Sequence, residues 1–284
     1  MWRRIEWLLG AVEPRPADDS RPVAILVVVF AALALLATDQ LWFRGHPMMR
    51  GPWRAALQGG IPLMAVAGWE LRAQPRGRPL ATLGAITLLL TFLAYGAGAL
   101  PWWREHQWAF QLPCIAGCLM LLGGLSRGGW DAEAWNAGAG DWQWWGPRTA
   151  VALVALIPAV IAVVSVSPAL QEFYPAWYPA RTDYTLVWVS NVGGAIDLLA
   201  SEWLFRGFIL AGLARAGRPW LAIGSQAAPF WLLHHAKPQP EFWLALIGGV
   251  AAGWFCYRAR SFWPLFVLHL AQISTLNLAA FALR

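Results

Sequence analysis

The sequence predicts an all-α protein, a polytopic transmembrane helix bundle of eight or nine spans. Three observations carry that expectation. The 284 residues are 58% hydrophobic and 13% charged, with a mean hydropathy of +0.48, too apolar for an ordinary soluble domain. Several apolar runs reach the roughly 20 residues that one bilayer crossing needs. Many of the 21 tryptophans stand at the ends of those runs, among them Trp42, Trp53, Trp102, Trp103, Trp142, Trp144, Trp145, Trp220 and Trp263. Amphipathic rings prefer the headgroup level, so these positions read as an interfacial belt.

Residues 1–21 carry Arg3, Arg4, Arg15 and Arg21 with two prolines and two aspartates. Only Trp7-Leu8-Leu9 follows the basic start before polar sequence resumes, too short for the apolar core of a cleavable signal. A cytoplasmic lead-in is expected there. Spans are then expected near 22–42, 54–70, 79–100, 108–125, 148–169, 184–213, 219–235, 242–257 and 262–282. Gln58, Gly59, Gly60 and Pro62 weaken the second. With the N-terminus cytoplasmic, Arg72, Arg76, Arg78, Arg127, Arg215, Arg218, Arg258 and Arg260 fall in cytoplasmic loops, the positive-inside pattern of an inner-membrane protein. Arg44, Arg50 and Arg54 run against it.

The Gly-rich, polar stretch 126–147 reads as a loop. It divides the chain into N-terminal transmembrane helices, 22–146, and a second bundle, 147–284, which holds every candidate chemical group. Gly249 and Gly253 form a GxxxG, and Gly193-Gly194 interrupt an earlier run. Small residues let membrane helices approach closely, so both read as packing sites within the bundle. The net charge of +6 is spread between apolar runs and forms no stripe, which gives no footprint for nucleic acid. Three cysteines make no disulfide framework, and Cys114 with Cys118 lack the further ligands of a structural zinc site.

Polar groups kept at membrane depth are functional candidates. Glu202 and Arg206 are four apart on one helix face and can pair. Asp197 and Ser201 share a neighbouring face of the same run, with Ser190 and Asn191 further up, so much polarity that a wet cavity is expected. His234 ends the next apolar run, with Phe230 one turn before it, and His269 lies about 12 Å into the last. A buried ion pair that only fixes packing, a satisfied core histidine, a serine nucleophile at Ser201 paired with His234, and a small transporter using these charges all remain open on the residues alone. A transporter predicts inverted repeats, and the first half has no matching polar residues.

The set resembles the CPBP family of intramembrane endopeptidases, also called Abi, which includes CAAX proteases and bacteriocin-processing enzymes. Ser201-Glu202-Trp203-Leu204-Phe205-Arg206-Gly207 is similar to its first motif, two glutamates, three residues and arginine. Phe230-Trp-Leu-Leu-His234 is similar to the second. Gly248-Gly249, then Ser261-Phe262-Trp263-Pro264 and His269, are similar to the third. The likeness covers about residues 195–272. It implies peptide-bond hydrolysis in a membrane-associated protein or peptide within the lipid bilayer, with Glu202, His234 and His269 catalytic and Arg206, Ser201, Asp197 and Gln272 in support.

Two positions depart from the pattern. The family's first glutamate, its base, falls on Ser201, and the asparagine expected four residues after the last histidine falls on Ile273. Glu202 or Asp197 is the expected substitute for the first, and the Gln272 amide for the second. A non-catalytic scaffold or immunity protein of the same bundle is the alternative. No cofactor is demanded, although Glu202, His234 and His269 form a residue set that zinc can accept.

Overall fold

The computed structural model describes residues 83–88, 90–92, 108–127, 132, 135–215, 219–234 and 237–284. The lead-in and the spans expected at 22–42 and 54–70 lie outside them, as does most of 79–100. Residues 83–88 and 90–92 are helical. Among the described residues the chain is α-helical apart from turns, 3-10 geometry at Tyr178–Arg181 and at His234, and one π segment, with no strand.

From Trp108 on, eight α-helices follow one another among the described residues: α1 Trp108–Arg127, α2 Trp142–Ser165, α3 Pro168–Phe173, α4 Tyr184–Glu202, α5 Leu210–Arg215, α6 Pro219–Leu233, α7 Gln239–Ala259 and α8 Trp263–Ala282. Four of them, α1 from Phe110, α2, α7 and α8, are long and apolar enough to cross a membrane. Their outward faces carry exposed large apolar side chains, such as Leu119, Val154 and Ile247. Contiguous apolar surface of this kind suits lipid and not water.

One expectation is corrected. The stretch 126–147 is not loop throughout: α1 runs to Arg127 and α2 begins at Trp142, six residues before the expected 148. The cause is a cap. The Asp141 carboxylate accepts the Trp144 amide at 3.2 Å, satisfying one of the helix's orphan donors, and the tryptophans behind it continue the helix. At the other end α2 stops at Ser165, because Pro168 pushes Ser167 into extended geometry at φ −119°.

Asp183 caps α4 in the same way, accepting from the Thr185 amide at 2.8 Å and its hydroxyl at 2.6 Å. The Thr185 hydroxyl and amide hold the Asp183 carboxyl below its ordinary pKa. From Tyr184 the chain stays helical to Arg215, but Trp203–Ile209 is a π segment. Such a segment shifts the hydrogen-bond ladder, and is frequent at functional sites. Here the Arg206 carbonyl accepts the Asn136 side-chain amide at 3.0 Å. Asn136 also takes the Phe262 amide on its own carbonyl at 2.8 Å, so one loop residue ties the π segment to the turn before α8. Gly207 is required at this joint: a Cβ there meets Trp203 Cδ1 and lies 3.1 Å from the Trp135 carbonyl.

The loop 135–141 clamps that turn again. Ser261 donates to the Gly138 carbonyl at 2.8 Å, and the Trp263 indole to that of Ala137 at 2.9 Å. Helix α6 has 15 residues, about 22 Å at 1.5 Å each and short of a 30 Å hydrocarbon core. It is enclosed instead, with Ala222, Gln226, Ala227 and Trp231 at 0% exposure. Gln226 crosslinks it to α7, donating to the Gly249 carbonyl at 2.7 Å, while Gly253 gives the amide its room. The GxxxG therefore packs α7 on α6. Gly194 plays a like part between α4 and α8, where its Cβ position lies 4.0 Å from Ile273 Cγ2.

Candidate active site

Glu202 ends α4, Arg206 lies in the π segment, His234 follows α6 and His269 sits inside α8. Four elements thus deliver the candidates, and they meet around one ring, that of Phe230. The Arg206 guanidinium lies over its face at 3.9 Å. Its centroid is 4.6 Å from that of His234, 6.0 Å from that of His269 and 5.7 Å from that of Phe205. An aromatic face near a desolvated guanidinium contributes about 2 kcal/mol. The phenylalanine of the Phe-x-x-x-His pattern is therefore the hub on which all three motifs pack.

The pair expected from i, i+4 spacing is present. Arg206 Nη1 donates to Glu202 Oε1 at 3.2 Å, with the two side chains 1% and 0% exposed. The same oxygen faces His269 Nδ1 at 2.9 Å. Since an ionised carboxylate only accepts, Nδ1 carries the proton there. Glu202 is thus a bridge that orients both Arg206 and His269, and its Oε2 has no hydrogen-bond partner among the described residues.

His234 is oriented by its own helix. Its Nδ1 lies 2.8 Å from the Phe230 carbonyl, which can only accept, so Nδ1 is protonated and Nε2 is the basic nitrogen of the neutral ring. Nε2 stands 4.0 Å from Glu241 Oε1. That carboxylate accepts the Tyr174 hydroxyl and the Lys237 ammonium, each at 2.6 Å. This cluster was missed in the sequence, although Lys237 and Glu241 are four apart. A pair beside Pro238 and Pro240, at the end of an apolar run, reads there as interfacial charge.

Two cavities meet at the histidines. One is lined by Asp197, Ser201, Phe230, His234, His269 and Asn277, among others. The second is wider and more apolar, with Ala155, Ala159, Gly248 and Ala252 along it and Glu202, His234, Glu241, His269 and Gln272 at its polar end. Gln272 thus shares a wall with His269. Asp197 Oδ1 is buried without a hydrogen-bond partner among the described residues.

Two readings left open by the sequence find no support in this geometry. The Ser201 hydroxyl donates to the Leu198 carbonyl at 3.0 Å, not to His234, so the serine nucleophile is not assembled. Among the described residues no three His, Cys, Asp or Glu side chains converge so as to hold a metal ion. Glu202 Oε1 already accepts from Arg206 and His269, and the zinc set does not assemble among the described residues. Ile273 lines the first cavity, and one turn later Asn277 donates to Asn191 Oδ1 at 2.7 Å. That amide pair joins residues 86 apart and left no local signal in the sequence.

Residues 183–272 match the family model of the Rce1-like proteins, type II CAAX prenyl endopeptidase Rce1-like. The Rce1-like segment begins at the Asp183 cap of α4 and ends at Gln272, inside α8. It contains Asp197, Ser201, Glu202, Arg206, Phe230, His234, Glu241 and His269. Tyr174, Asn136 and Asn277 lie outside it. No curated protein and no solved structure matches the chain. Residues 183–272 are thus similar to CAAX-type endopeptidases, and this likeness with the four apolar helices supports an integral membrane protein.

Proposed function

We propose that this chain is an intramembrane endopeptidase that hydrolyses a peptide bond close to the lipid-modified cysteine of a membrane-associated protein or peptide. The observation that carries the reading is the pair of differently set imidazoles on one cavity. His234 presents a basic Nε2, while His269 is held against an ionised carboxylate. The Rce1-like match of the same residues supports it.

The two histidines suit different halves of the reaction. His234 Nε2 accepts a proton from water as the water oxygen bonds to the scissile carbonyl carbon. The carbonyl π pair moves to oxygen, and a donor must face that charge as it develops. His269 supplies it as the imidazolium, with Nδ1–H on the Glu202 carboxylate and Nε2–H turned to the oxyanion. The protonated His234 then returns its proton to the amide nitrogen as the C–N bond breaks. Isoleucine at 273 has no donor, so His269 and Gln272 carry the oxyanion in this chain. The wide apolar cavity beside the dyad, floored by alanine and glycine, suits a lipid-bearing substrate.

The test uses the purified full chain in lipid nanodiscs with a quenched-fluorescence peptide whose farnesylated cysteine precedes three residues. Release of the terminal tripeptide, identified by mass spectrometry, is expected. An intact peptide with chain at micromolar concentration contradicts the proposal.

A further inference from the structure

Glu241 opens α7 and is 8% exposed, yet the reaction above makes no use of it. Three side chains face its carboxylate: Tyr174 on Oε2, Lys237 on Oε1, and His234 Nε2 at 4.0 Å from Oε1. The first two fix its rotamer. The third is the nitrogen that receives the proton. Glu241 lines the same cavity end as His234, His269 and Glu202.

The position where the family pattern has a basic glutamate is Ser201 here, and its hydroxyl is spent on the Leu198 carbonyl. Glu202 Oε1 is shared between Arg206 and His269. Asp197 makes no ion pair with His234 among the described residues, whereas Glu241 stands at that distance. The geometry points to Glu241 as the carboxylate that holds the attacking water against His234, taking the place left by the serine at 201. This inference rests on the peptidase reading.

Two acceptors 4.0 Å apart, each about 2.8 Å from one water oxygen, subtend about 90° there, near a water's own H–O–H angle. The water donates one hydrogen to Nε2 and one to Oε1, and its lone pairs face the cavity. Oε1 has a second lone pair for Lys237. In the step, the oxygen bonds to the carbonyl carbon and one proton passes to Nε2. The other hydrogen stays on the new hydroxyl, still donated to Glu241. The carboxylate remains ionised throughout and stabilises the imidazolium beside it. It is a catalytic residue by contact with the reacting water.

The experiment is steady-state cleavage of the farnesylated peptide by the full chain in nanodiscs. Glu241→Gln is expected to lower kcat about 100-fold with KM changed less than twofold. Adding Ser201→Glu to that variant is expected to recover at least tenfold, and sodium formate is expected to restore activity to Glu241→Gly. If Glu241→Gln does not fold, Glu241→Asp keeps the charge and withdraws it by one methylene, and a tenfold loss in kcat is expected. Cleavage by the unaltered chain with more than half its kcat in Glu241→Gln overturns this inference alone. So does a loss that neither Ser201→Glu nor formate reverses, which marks a strut and not a carboxylate that holds the water. Absence of cleavage by the unaltered chain overturns the peptidase reading and this inference with it.

Discussion

Replacing Arg206 by methionine tests the buried pair that organises the site. The side chain is 1% exposed, donates to Glu202 at 3.2 Å and covers the Phe230 face at 3.9 Å. Its removal leaves a carboxylate at 0% exposure with His269 as its remaining partner. Breaking a buried pair from one side costs about 3–5 kcal/mol, because the other charge stays uncompensated. At about 2–4 °C per kcal/mol for a domain of this size, the apparent Tm should fall by roughly 6–20 °C. The assay is thermal unfolding of purified protein in one detergent, for Arg206→Met, Glu202→Gln and the double variant. Methionine fills much of the guanidinium's volume and glutamine bears no charge, so the double variant should regain more than half of the lost Tm. A fall below 2 °C in Arg206→Met, or a double variant no better than that single one, refutes the reasoning.

Gly207→Ala pushes a methyl against Trp203 and the Trp135 carbonyl, and overpacking of this kind costs about 1–3 kcal/mol, readable as a lower Tm with cleavage falling in parallel. Asn136→Ala deletes the donor to the Arg206 carbonyl and should cost about 1–3 kcal/mol while leaving KM unchanged, since Asn136 lines neither cavity. Gly253→Leu meets the Gln226 amide, so α6 and α7 must separate; a cysteine pair across that joint, Ala227→Cys with Gly249→Cys, should crosslink in the unaltered background and lose yield with Gly253→Leu.

The legible part of this protein is its local part. Glu202 with Arg206, and Phe230 with His234, are each one helical turn apart, so spacing alone puts them on one face, and the structure has both contacts. Apolar length gave α1, α7 and α8 to within a few residues. What sequence reasoning missed depends on long separations or on altered helix geometry. Asn136 reaches Arg206 across 70 residues, and Tyr174 reaches Glu241 across 67. The π segment leaves no trace in the apolar pattern, because every residue from Trp203 to Ile209 is buried and periodicity vanishes. The early start of α2 was hidden by glycine before it and Pro147 within it, while Asp141 was a cap signal that outranked both.

The central claim is that His234 and His269, set in opposite roles around Phe230, carry the hydrolysis. The most direct measurement is the cleavage rate of the farnesylated peptide by His234→Ala and His269→Ala, each shown by circular dichroism and Tm to keep its fold. The account predicts a rate at background for both. Wild-type cleavage by either variant contradicts it.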